Sequence, residues 1–437
     1  MNLVLAKTDT GRAVGSVFAT VRGRLPGAGP VADARAEAFE AYERTGLPHR
    51  RIEEWKYTDL RALMRDVLPA AAQPDASALS RAKGALAQEA IEGAARLVLV
   101  DGAFAPELSD LVPLGKDASV TTLREVLESD AGGDLLSTVA IDPMISLNTA
   151  MVTDGVIVTV ADGKTLDRPV QIVHVATAAS ASAFTRSHLK LGKGSRTTLV
   201  ESFVAAEGAN AYQLNDAVIL SVGDGAELSH VRLMADAADA VNVSSAIITA
   251  GAKAKINLFN MTRGGAVSRY QGFVTLAGEG TDLSVNGINL LKDKQHGDTT
   301  LVIDHVVPHC TSRENFRAVV DDRGHSVFQG RIIVRPDAQK TDGKMMTRAL
   351  LLSDEAEADN KPELEIFADD VTCGHGATSG ALDDSLLFYL RARGLSENEA
   401  QALLIQAFLG EAIEQIADDD LREFVAAQAE RWLEARR

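Results

Sequence analysis

Cys373 and His375 stand two residues apart within residues 361–395, KPELEIFADDVTCGHGATSGALDDSLLFYLRARGL. A soft sulfur beside an imidazole is metal-ligand chemistry. In an extended segment, residues i and i+2 project to the same face, so both side chains could address one ion or one facing partner. Gly374 and Gly376 keep the neighbouring backbone bare, which lets another backbone or a cofactor approach closely. A C-x-H pair alone is weak, and a histidine in a glycine-flanked turn is more often a hydrogen-bonded surface residue than a ligand. Cys373 also has an ordinary reading as a small buried hydrophobe, and Cys310, in VVPHCTSRE, reads as structural.

Other candidate groups carry less. His296, His305 and His309 are separated by nine and four residues, which is not the spacing of a helix-borne zinc motif. If His305 and His309 shared one strand face they would lie roughly 13 Å apart, too far for one ion. Glu363 and Glu365 alternate with Leu364 and Ile366, the mark of a half-buried strand with a wet face rather than of an acid/base pair. Gly278-Glu279-Gly280 lacks the G-K-[ST] and the following helix of a phosphate loop, so ATP is not expected on this chain.

Composition narrows the class. With 437 residues, two or three structural regions are expected, and 46% apolar with 24% charged residues is a globular composition. A net charge of −17 argues against broad binding to nucleic acid or anionic membrane. The chain has no run of apolar residues long enough for a bilayer span, and the N-terminal sequence lacks the continuous apolar stretch of a secretory signal. Two cysteines with no C-x-x-C fit a reducing cytoplasm better than a disulfide framework. An iron–sulfur cluster needs about four ligands, mostly thiolates, so one chain with two thiols could hold a cluster only briefly or with a partner.

The elements that would position these residues follow from pattern. Residues 31–68 read as helical, 69–80 as a connector, RLVLVDG as a strand and TLREVLES as a helix, giving a mixed N-terminal region over residues 1–150. Over residues 151–380 the texture becomes alternating strands punctuated by glycine. Strand–turn–strand units place their turns at Gly194, Gly225, Lys253, Gly280 and Gly324, with intervals of 31, 28, 27 and 44. The long last interval reads as an excursion. This periodicity favours a β-solenoid over a face-to-face sandwich. Solenoid ends expose unpaired backbone, so the flanking helical regions are expected to cover them. Residues 381–437 read as a helical domain, with Asp383 or Asp384 capping its first helix, Gly394 ending it, and a capping box at Ser396 and Glu399. Leu387, Leu390, Leu403, Leu404 and Phe408 form apolar stripes there. Helix packing accounts for most of them, and any left over would suit a docking partner.

Three strings, RIEEWKYTDLRAL, LLLSDEAEADNKPELEIFADDVTCGHGATSGALDD and LLFYLRARGLSENEAQALL, give the chain a resemblance to the SufB/SufD family of the SUF iron–sulfur cluster assembly machinery. The SufB branch carries G-H-E at the turn and cysteines upstream. Here Gly376 stands where that glutamate would be, and TRALLLSDEAEADNKPE has no cysteine, so the resemblance is to the SufD branch. It implies a right-handed parallel β-helix between α-helical N- and C-terminal domains, with SufB pairing through the β-helices and the ABC-type ATPase SufC docking on the C-terminal helices. It also implies a non-catalytic, cytoplasmic scaffold whose His375, with Cys373 as a second candidate ligand, completes a nascent-cluster site with SufB, ATP being bound only by SufC. Self-pairing of the isolated chain is a further expectation. The alternatives are a SufB-like sulfur acceptor and, behind it, a β-helix carbohydrate-active enzyme.

Overall fold

The computed structural model describes residues 9–64, 66–87, 89–129, 132–137 and 142–436, with side chains from residue 13. The first eight residues, part of the stretch read as no secretory signal, lie outside this set.

Alternating apolar residues need a facing surface, and here they find it in one another. The strands wind about a shared apolar lumen, each coil giving one strand to each of two sheets. One sheet runs β3 (Ala118–Thr122), β4 (Val156–Val160), β6 (Ser182–Leu191), β8 (Gln213–Val222), β10 (Val241–Ala250), β12 (Val267–Leu276), β14 (His296–His305), β16 (His325–Val334) and β18 (Glu357–Ile366). The other runs β2 (Ala103–Phe104), β1 (Ala95–Val100), β5 (Val170–Ala176), β7 (Arg196–Ala205), β9 (Glu227–Ala235), β11 (Lys255–Thr262), β13 (Asp282–Leu291), β15 (Thr311–Val320), β17 (Asp342–Leu351) and β19 (Thr372–Gly380). From β4 onward each strand pairs in parallel with the strand two places on, giving a β-solenoid of about eight turns. A sandwich of hairpins is thereby excluded, because the two strands of each strand–turn–strand unit belong to opposite sheets. Lumen-facing side chains such as Leu199, Val218, Leu258, Val285, Ile303 and Ile332 form the central core.

The repeat is more regular than the glycines suggest. On the edge where the chain crosses from the nine-stranded to the ten-stranded sheet, Gly163, Gly194, Gly225, Lys253, Gly280, His309 and Lys340 all have positive φ, at intervals of 27 to 31 residues. The excursion read between Gly280 and Gly324 is an ordinary coil whose turn is made by His309, at φ 61°. Gly324 belongs to the opposite edge, between β15 and β16. The misreading has a physical cause: left-handed backbone favours glycine by about 1–2 kcal/mol, which a well-packed coil can override.

Helices α1 (Asp9–Val21), α2 (Pro30–Thr45), α3 (Leu60–Leu63), α4 (Ala76–Leu86), α5 (Leu123–Glu128), α6 (Gly133–Leu136) and α7 (Pro143–Met151) precede the regular coils. Helices α8 (Asp384–Ala392), α9 (Glu397–Ile413) and α10 (Asp419–Ala435) follow them. Neither set closes the C-terminal end of the solenoid. Val14, Phe39, Tyr42, Leu147 and Met151 pack with Phe184, Val243 and Val267 on the outer face of the nine-stranded sheet. Ile405, Leu409, Val425 and Trp432 pack with Val231, Phe259 and Ile288 on the outer face of the ten-stranded sheet. The outward halves of these strands are apolar, so the helices bury more surface along the flanks than across an end.

The helix expected over residues 31–68 stops at Thr45. Beyond Gly46, only a 3₁₀ turn at Glu53–Trp55 and the four residues of α3 are helical among the described residues of this stretch. Tertiary anchors win there: Trp55 is buried, its indole N–H donates to Asp142 Oδ2 at 2.8 Å, and the Arg269 guanidinium lies 3.8 Å from its ring centroid. The connector is shorter than expected, since α4 begins at Ala76. The capping box at Ser396 and Glu399 is present with both reciprocal bonds, and Asp383 caps α8. No helix among the described residues is long and apolar enough to cross a membrane.

Candidate functional site

At the C-terminal end of the solenoid, β18 and β19 are the last strands of their sheets, and none of the described residues pairs with their outer edges. Every residue of β18 and β19 is half-buried or exposed, in contrast to the buried coils beneath. Such edges present unpaired N–H and C=O groups, a template for another strand.

The two edges differ. Phe367 N–H donates back to Val334, so odd-numbered residues of β18 bond inward and even-numbered ones face out. Pro362 falls on the outward set, where its missing N–H costs no ladder bond and blunts the edge. On β19, Thr372 N–H donates to Thr341, so the even-numbered residues bond inward. The N–H groups of Cys373, His375, Ala377 and Ser379 therefore face outward, with no proline among them.

Cys373 and His375 sit in register with Gly343 and Met345 of β17. Alternation puts both on the lumen-facing side of β19, as their sequence spacing predicts. Their surroundings differ. Cys373 is half-buried and packs on the central core, whereas His375 is exposed at the mouth of the lumen. Among the described residues no hydrogen bond or ion pair engages the His375 ring, so the imidazole is available as a ligand. Burial pushes the Cys373 thiol up; a backbone hydrogen bond from Gly343 opposes this, and the charges of Asp342 and Glu314 reinforce it. A raised pKa keeps the sulfur as a thiol until a metal or a partner changes its environment. Gly374 meets nothing within 4 Å where a Cβ would be, while a Cβ on Gly376 would come 2.7 Å from Met346 Cε. Bare backbone at Gly374 leaves the outer side of β19 open to close approach, whereas at Gly376 the Met346 side chain already covers it.

Sequence reasoning missed Glu314. It faces the lumen from β15, in register with Met345, fully buried and, among the described residues, with no hydrogen-bond partner for either oxygen. Burial pushes its carboxyl up to about 8. Its place in the alternation of β15 was the available signal.

The other histidines do not gather. His296 Nδ1 lies 3.2 Å from His325 Nδ1, and its Nε2 lies 2.8 Å from Thr58 Oγ1; burial holds His296 down to about 4. His305 is buried with Nε2 3.1 Å from Ser312 Oγ, while His309 is in a turn near Glu279, so the two do not lie along one strand. Cys310 is fully buried. Of the C-terminal apolar residues, Leu403 is exposed, and Leu387, Leu390, Leu404 and Phe408 are half-buried. The most exposed apolar side chains of this region are Phe388 (75%), Tyr389 (52%) and Leu386 (51%), all on α8, which buries no residue.

Residues 174–408 match the SUF system FeS cluster assembly SufBD core domain, and residues 27–172 match the SufBD protein N-terminal region. The chain is 32% identical over 389 residues to the iron-sulfur cluster assembly protein SufD of Escherichia coli, covering 88% of this chain and 89% of that protein. It is 31% identical to a SufBD family iron-sulfur cluster assembly protein of Synechocystis, over 85% and 84% of the two chains. It is 27% identical to the SufD protein of Bacillus subtilis, over 66% of each.

Proposed function

The chain belongs to the SufBD family of the SUF system for iron–sulfur cluster assembly, and we propose that it serves there as a scaffold subunit with no catalysis of its own. The single observation that carries this reading is the unpaired terminal strand β19, which presents an unengaged imidazole at its exposed edge. A strand of a sister β-helix, of the SufB kind, adds to β19 through the outward N–H groups and brings its own sulfur ligands to His375. Cys373, half-buried beside it, is the second ligand. The cluster is cargo, assembled at the seam and passed on. With two thiols this chain cannot complete a four-ligand site alone.

ATP belongs to an ABC-type ATPase partner of the SufC kind. The apolar surface of α8, with Leu403 of α9, is the surface proposed for it. Isolated, the chain pairs with itself through the same β19 edge.

Copurification with the other SUF components from the native host, followed by iron and acid-labile sulfide analysis, tests the reading. With His375→Ala the complex should still assemble but carry little iron and sulfide and mature little iron–sulfur enzyme in cells. Unimpaired maturation would remove His375 from the site. Stable persulfide on Cys373 or Cys310 after incubation with a persulfide donor would instead make the chain a sulfur acceptor.

A further inference from the structure

The apolar lumen is interrupted between its early coils by charged side chains that no part of the proposed cluster site uses. His174 of β5, Glu201 of β7, and His230 and Arg232 of β9 face Asp216 of β8 across the lumen, and none is more than 4% exposed. Glu201 Oε2 is occupied: it accepts from Arg232 at 2.7 Å and lies 2.6 Å from His230 Nε2. Asp216 Oδ1 accepts from Thr185 Oγ1 at 2.7 Å. The remainder is unsatisfied. Among the described residues, both ring nitrogens of His174, Glu201 Oε1 and Asp216 Oδ2 have no hydrogen-bond partner, a costly condition for buried polar atoms.

These groups converge. His174 Nε2 is 3.9 Å from Glu201 Oε1 and 3.9 Å from Asp216 Oδ1, and one ligand atom from each residue lies within 4.8 Å of the others. At 3.9 Å neither contact is a hydrogen bond, so a protonated ring is not bridging the two acids. A tetrahedral ion with bonds of about 2.1 Å needs ligand separations near 3.4 Å, so the two His174 contacts must close by roughly half an ångström and the two carboxylates must also draw together. The His174 ring is held for this by stacking on Phe203, centroids 4.4 Å apart and planes 6° from parallel. Beside it lies a cavity of about 20 Å³, also lined by Thr185, Tyr212 and Asp236, with room for one water. Charge points the same way. Three buried acids, Glu201, Asp216 and Asp236, share one buried guanidinium, Arg232, an excess of carboxylates that a bound cation would relieve.

We propose that His174, Glu201 and Asp216 bind one divalent first-row metal ion of the zinc type inside the solenoid, with water from the cavity as a further ligand. One imidazole nitrogen and two carboxylate oxygens are a borderline donor set that suits such an ion. The site is six strands from β19, roughly 30 Å, and is independent of the cluster seam. Its enclosure implies that the ion enters as the coils close, so binding is coupled to folding.

The test uses the full chain carrying Cys373→Ser and His375→Ala, refolded with Zn²⁺ or Co²⁺ and desalted. One metal per chain and a higher melting temperature than the metal-free protein are expected, and Asp216→Asn or Glu201→Gln should weaken binding at least tenfold. No retained metal, or unchanged retention in both variants, would overturn the proposal. X-ray absorption on the metal-loaded parent does not depend on the variants folding. It should show nitrogen and oxygen neighbours without sulfur; a sulfur shell or several imidazoles would overturn the assignment.

Discussion

Glu314 lies two strands beneath His375 on the lumen-facing side of the ten-stranded sheet, with Met345 between them. The mouth that presents an exposed imidazole thus rests on a buried acid. Because burial raises the folded-state pKa from 4.5 to about 8, the folded protein holds a proton that the unfolded chain releases. Stability from this group is fully present below about pH 4.5 and is lost as pH rises to about 8, by an amount on the order of a few kcal/mol. Glu314→Gln should therefore be more stable than the parent at pH 9 and equal to it near pH 4.5. Urea midpoints at the two pH values check this; an equal gap at both would refute it.

Trp55 pins the N-terminal segment to the start of α7 through Asp142 and to the nine-stranded sheet through Arg269. Trp55→Ala should cost about 3–5 kcal/mol, since it opens a cavity and takes the indole donor from Asp142 Oδ2 and the ring from beneath Arg269. Trp55→Phe keeps most of the volume and should cost about 1–3 kcal/mol, chiefly the donor lost to Asp142 Oδ2. Denaturant midpoints of the two variants should fall in that order.

How far the sequence reaches is visible at particular residues. Alternation and glycine turns at Gly194, Gly225 and Gly280 reveal a stacked-strand repeat, and Ser396 with Glu399 marks the start of α9, because each is a local signal with a local cause. His309 and Lys340 hide their coils because packing imposes left-handed backbone on residues that do not favour it. The C-x-H spacing of Cys373 and His375 was legible as a shared face. That β19 is an uncovered edge was not, since it depends on α9 and α10 lying along the flank. The lumen charges from β5, β7 and β8 are at most 42 residues apart, yet only the coiling brings them together.

Ser396→Ala removes the N-cap acceptor of α9 and should destabilise the C-terminal helices by about 1 kcal/mol. Hydrogen exchange should quicken in the first turn of α9 while β8 to β14 stay protected. Uniform loss of protection would mean that the helices and the solenoid unfold as one unit.

Phe388 and Tyr389 are exposed on α8, so replacing both with serine should change stability by no more than about 0.5 kcal/mol per site. Binding of the ABC-type ATPase, followed by calorimetry, should weaken at least tenfold, as expected for aromatic anchors of an interface. Undiminished binding would move the docking surface off α8.

Ala377→Pro separates strand addition from folding. Thr372 N–H bonds inward, so in this parallel strand the N–H of residue 377 points outward and no ladder bond of the chain depends on it. Ala377 is exposed, and a proline φ fits an edge strand, as Pro362 already does on β18. The variant should therefore melt within about 1 kcal/mol of the parent while losing one outward donor and placing a ring where a neighbouring strand would lie. Thr378→Pro is the control, because its N–H faces β17 and its loss should lower stability. Sedimentation of the isolated chain and copurification with the sister subunit read out pairing. Loss of both with Ala377→Pro, at unchanged stability, is the expected result. Retained pairing would mean that partners meet through some other surface than β19, and His375 would no longer lie at the seam.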